Sequence, residues 1–123
     1  MRTLLSTLLA AALLARTAAL ACGACIEDKV AATYDHALVT GATQYGKAVV
    51  FAEPSVPSDS VKFAKAIAAS ARHAHGVDPG TVRTSAQPPT VSFALSPGVA
   101  PEAALAAIER SAGVHLVLVK VLR

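Results

Sequence analysis

Both cysteines of this chain lie in one short stretch, LACGACIEDK, as Cys22 and Cys25. Thiols in a Cys-x-x-Cys spacing are soft donors that suit Cu(I) or Zn, and on a nascent helix a separation of three residues turns both sulfurs to one side. A helix start also favours the thiolate, the form that binds metal or attacks a disulfide. Cys22 would add its amine to the donor set if it began the mature chain. Two other fates stay open for the pair: lipid attachment at Cys22, or a structural or inert role, oxidised or bridged to a partner. His36, eleven residues beyond Cys25, is the histidine that a continuous helix would bring nearest the same face, about three turns along. A bend would be needed before it could join the two thiols around one ion. His73 and His75 fall where a helix end favours imidazolium, so capping accounts for them, and His115 opens an apolar strand.

What positions the thiols is first a leader. Met1-Arg2 is a short positive start, Leu4 to Leu14 is an apolar run too short to span a bilayer comfortably, and Ala19-Leu20-Ala21 is a small-x-small cleavage signal. Residues 1–21 therefore form an expected secretory signal peptide, and the mature protein is expected to be secreted or periplasmic. Both cysteines then meet an oxidising compartment. A lipoprotein signal places Leu, then two small residues, ahead of Cys; here Leu20 stands one place late, so contact with a membrane enters only if Cys22 is lipidated. Removing Arg2 and Arg16 takes the basic residues from 11 to 9 against 8 acids, so the basic pI is partly the leader's. The remaining Lys and Arg are scattered, without a stripe that could track a phosphate backbone, which argues against nucleic acid as a partner.

Behind the leader, residues 22–46 hold the thiol pair and an expected helix with Ile26, Val30, Tyr34 and Ala37-Leu38 on one face, ending near Thr40-Gly41. Residues 47–123 read as a second unit. KAVVFAE is a strand stopped by Pro54, Val61 to His75 is a helix capped from Ser58 or Asp59 and closed by Gly76, and Thr81 to Ser85 and Thr90 to Leu95 are strands joined by AQPP. Pro101 opens a helix that Gly113 ends, and Val114 to Leu122 is a near-continuous apolar strand. Strand, helix, strand, strand, helix, strand is the order of an α+β ferredoxin-like βαββαβ sandwich, a four-stranded antiparallel sheet with two helices on one face. The extra N-terminal helix stands outside that order. Phe51 and Phe93 are expected on the central strands, facing the helices. The last strand is apolar on both sides, with Val117, Val119 and Val121 on one and Val114, Leu116 and Leu118 on the other. Such a sheet face needs a cover, from the N-terminal helix, from a homodimer or from a protein partner.

With its small size, its βαββαβ order and a Cys-x-x-Cys pair, the chain resembles the heavy-metal-associated domains of copper chaperones and metal-transport ATPases. The resemblance is one of topology and implies two thiolates that hold Cu(I) or another soft ion. Those domains carry their cysteines in a Gly-Met-x-Cys-x-x-Cys loop between the first strand and first helix; this chain has EPSVPSDS there and keeps its thiols ahead of the fold.

Enzyme readings find little to stand on. CGAC resembles the redox motif of thioredoxins, yet that fold needs a strand and an aromatic-rich approach before the motif, and the chain has no Trp. Acylphosphatases share the strand and helix order but depend on an Arg in a phosphate-cradling loop and on an Asn, a residue type absent here. No nucleophile elbow gathers a Ser, His and Asp. RNA-binding versions of the fold display aromatics on an open sheet face, and the two strand phenylalanines are expected in the core. The expectation is a non-enzyme: an exported metal-binding or metal-handling protein using Cys22, Cys25 and His36 for Cu(I) or Zn. The alternative is an exported interaction module or lipoprotein whose cysteines are structural or acylated and whose sheet face packs on a partner.

Overall fold

The computed structural model of the chain describes residues 25–56 and 59–123. Residues 1–24, which include the expected leader and Cys22, lie outside the described residues. The apolar run that begins after Lys47 becomes β1 (Ala48–Pro54), and Val49, Val50, Phe51 and Ala52 are all buried in succession. Alternate side chains of a strand point to opposite faces, so four buried neighbours require cover on both sides. β1 has a strand on each flank as well. It pairs antiparallel with β3 (Pro89–Leu95) and β4 (Leu116–Leu122), and the short β2 (Arg83–Ala86) completes a sheet in the order β2-β3-β1-β4.

The first cover lies between strands in the chain. α3 (Ser60–His73) follows β1, and α4 (Pro101–Ala112) follows β3. Asp59 caps α3 by accepting from the Val61 and Lys62 amides, both at 3.1 Å, and Phe63, Ile67 and Ala71 repeat every four residues along its buried face. They pack with Leu105 and Ile108 of α4 on Val50, Ala52, Val91, Phe93 and Leu95 of the sheet. Pro101 opens α4 and Gly113, left-handed at φ 69°, closes it, as the sequence implies. Beyond α3, Gly76 has φ 82°, and a Cβ there would lie 2.7 Å from a Val99 methyl, so both handedness and space demand glycine.

The second cover comes from the N-terminus. Where the sequence suggests one helix, the chain forms two: α1 (Ile26–Ala31) and α2 (His36–Gln44). The break has a physical cause, because Asp35 takes an extended conformation and caps a new helix by accepting from the Leu38 amide at 3.1 Å. Together α1 and α2 lay Val30, Leu38, Val39 and Ala42 over Val49, Phe51 and Ala94.

Two expectations need correction here. Phe93 does face α3 and α4, paired with Val50, but Phe51 pairs with Ser92 one step out of phase and so points into the α1–α2 layer. The strict alternation read for the last strand also fails. β4 pairs Lys120 with Phe51 and Leu118 with Ala52, leaving Val119 as a bulge, so Val119 and Leu122 reach the α1–α2 side while Val121 joins the other core. A bulge shifts the phase of everything beyond it.

If the N-terminal layer is part of the core, Phe51→Ala must cost as much as a deep truncation, roughly 3–4 kcal/mol of unfolding free energy. Urea unfolding followed by circular dichroism measures it. A loss below about 1 kcal/mol would mean that α1 and α2 rest loosely on the sheet.

Candidate functional site

Cys25 stands in extended conformation immediately before α1, exposed to solvent. Its carbonyl accepts from the Lys29 amide at 3.2 Å, and its Sγ donates to Asp28 Oδ2 at 3.1 Å. That hydrogen bond reverses one expectation. A thiol donating to a carboxylate is stabilised as the thiol, so the Asp28 bond, followed by partial desolvation and the negative charge of Asp28, raises the Cys25 pKa above its ordinary value. Backbone hydrogen bonds pull the other way and lose. A six-residue helix with an acidic first turn does not make this sulfur an activated thiolate.

α1 is moored to the sheet beneath it. Lys29 Nζ donates to Glu53 Oε1 at 2.9 Å with both side chains partly buried, and Val30 packs into the α1–α2 layer. The turn that follows is held from below, where Ser92 Oγ donates to the Thr33 carbonyl at 3.3 Å. Thr33 itself is buried, and its hydroxyl finds no hydrogen-bond partner among the described residues. At the start of α2, His36 Nδ1 sits 3.5 Å from the Tyr34 hydroxyl, and Asp35 meets Arg83 at 3.7 Å across exposed ground.

These positions separate the candidate ligands. Cys25 precedes α1 and His36 opens α2, on the far side of the break at residues 32–35, so the continuous helix that would carry His36 along the thiol face does not form. Among the described residues no three His, Cys, Asp or Glu side chains gather where they could hold a metal ion. His73 ends α3, and His115 precedes β4. Cys25 and Asp28 remain as a two-atom donor set, sulfur and carboxylate oxygen, with Cys22 as the residue that would extend it.

One feature went unread in the sequence. A pocket of about 320 Å³ opens between α1 and β4, lined by Ile26, Glu27, Val30, Ala31, Tyr34 and Lys120. Ile26, Val30 and Tyr34 are spaced as one inward helix face, but α1 ends at Ala31, so only Val30 packs against the cluster, partly buried, while Ile26 and Tyr34 stay 53% and 44% exposed at the rim. The signal available was the short run of apolar residues bracketing Glu27 and Asp28; the bulge that brings Lys120 to the same side left no mark in the residue types.

No protein-family model matches the chain, and comparison with curated proteins and with solved structures finds no match to it. Among the described residues no helix is long and apolar enough to cross a membrane.

The Asp28 contact makes a prediction about reactivity. In a Cys22→Ser background, Asp28→Asn removes the carboxylate that favours the protonated thiol, so the alkylation of Cys25 by iodoacetamide must reach half its maximal rate at a lower pH. An unchanged rate profile would show that the hydrogen bond does not govern the thiol.

Proposed function

We propose that this is an exported small metal-handling protein, in which a ferredoxin-like βαββαβ domain is preceded by the Cys22 and Cys25 pair that takes a soft metal ion, Cu(I) or Zn. The strand order β2-β3-β1-β4 and the packing of α3 and α4 on one face support the ferredoxin-like reading. One observation supports the site above all: the Cys25 thiol is exposed, ahead of a domain whose two apolar clusters close without any sulfur. A structural cysteine is usually among the most buried residues of a small protein, and this one is not.

The donor chemistry separates the two metals. Two thiolates alone suit Cu(I), whereas Zn accepts the Asp28 carboxylate beside them as a further ligand. Either ion must displace the Cys25 proton, which the Asp28 bond holds in place, so binding releases protons and weakens as the pH falls. His36, opening α2, serves here only if the segment before α1 bends back toward it.

Titration of the reduced protein with Cu(I) and with Zn, each against a competing chelator, tests this reading. We expect one ion per chain, a loss of at least about 100-fold in affinity on Cys22→Ser or Cys25→Ser, and an Asp28→Asn effect on Zn that Cu(I) does not share. Absence of stoichiometric uptake by the reduced protein would refute it. A second reading, an interaction module or lipoprotein with structural or acylated cysteines, draws support from the apolar pocket beside α1. Intact mass separates the two, because a diacylglycerol adduct on Cys22 removes one thiol from the metal site.

A further inference from the structure

The two edges of the sheet differ. β2 has four residues, Arg83, Thr84, Ser85 and Ala86, and a tight turn through Gln87 and Pro88 ends it, so it offers little to a pairing strand. β4 has seven residues, six of them Leu or Val, lies at the end of the strand order and carries exposed Val117 and Leu118. Its outer backbone groups face no strand among the described residues. A long apolar edge is the feature that proteins normally shield, and among the described residues the second sheet face is covered by α1 and α2 while no strand covers this edge.

The pocket adjoins that edge, since Lys120 of β4 lines it together with Ile26 and Tyr34. Its two charged residues decide what fits. Glu27 and Lys120 carry opposite signs in an otherwise largely apolar lining, and neither forms an ion pair among the described residues. An anionic amphiphile would meet Glu27 and a cationic one Lys120. A surface bearing one charge of each sign beside an apolar strip is complementary to itself, because a two-fold axis brings residue i of one copy to residue j of the other and j to i.

We propose that the β4 edge and the adjoining pocket form an isologous interface between two copies of this chain. β4 pairs antiparallel with its equivalent, the sheet continues across the axis, Ile26 and Tyr34 of each copy close over the junction, and Glu27 of each meets Lys120 of the other. Assembly stops at two, since the edges left outside are the short, four-residue β2 strands. The proposal does not rest on the metal reading.

Sedimentation velocity on protein purified from expression of the full coding sequence, kept in reductant so that thiols cannot bridge copies, tests it. The expected result is a monomer–dimer equilibrium. Glu27→Lys or Lys120→Glu alone weakens association roughly tenfold or more, about 1.4 kcal/mol, and the two reversals together restore most of it. Val117→Lys, which charges the edge without touching the pocket, weakens it as well, and matched thermal melts show that each variant is folded. A monomer up to several hundred micromolar overturns the proposal. So does a dimer indifferent to the charge reversals, or a monomer whose pocket holds a co-purified amphiphile by native mass spectrometry.

Discussion

Burial of β1 on both faces is the constraint from which the rest of the architecture follows. A strand with one wet face could be satisfied by α3 and α4 alone, but Val49 and Phe51 point away from those helices and are as buried as Val50 and Ala52. Left uncovered, they would present a continuous apolar surface over the centre of the sheet. The N-terminal segment is therefore the second half of the core. Its placement explains the partly buried Lys29–Glu53 pair, which anchors α1 directly to the end of β1, and the Ser92 bond that holds the turn after it.

That same segment carries the thiol, so folding and candidate chemistry share one piece of chain. Packing of Val30 and pairing of Lys29 fix where α1 begins, which fixes where Cys25 emerges, and the next turn sets Asp28 against it. The sulfur is held at the surface in a definite setting but is not activated by it. A carboxylate neighbour favours the protonated thiol and so disfavours attack by this sulfur at neutral pH.

Much of this was legible in the residues and some could not be. The order of strands and helices from β1 onward followed from period and punctuation: Pro54, Asp59, Pro101 and Gly113 mark ends by mechanisms that act locally. The α+β class and the four-stranded antiparallel sheet came with that order. Phase was harder. Phe51 changes sides because parity along β1 depends on the register with β3, and Val121 changes sides because of a bulge that residue types did not announce. The break between α1 and α2 was written in Asp35, a good cap, but a helix face that continued on paper through Tyr34 hid it. For the site, the exposure of Cys25 agrees with its position ahead of the fold, while its pKa direction depended on Asp28 turning back three residues, a choice of side-chain conformation that spacing permits without requiring.

The two apolar clusters are unequal. Fourteen buried residues make up the one beneath α3 and α4, and four make up the one beneath α1 and α2. Native proteins open in steps whose cost follows how much each part buries, so the thinner layer is the first to lift away from a sheet that stays intact. Cys25 stands immediately before α1, at the start of that thinner layer, so the setting that Asp28 gives the sulfur lasts only while α1 is formed.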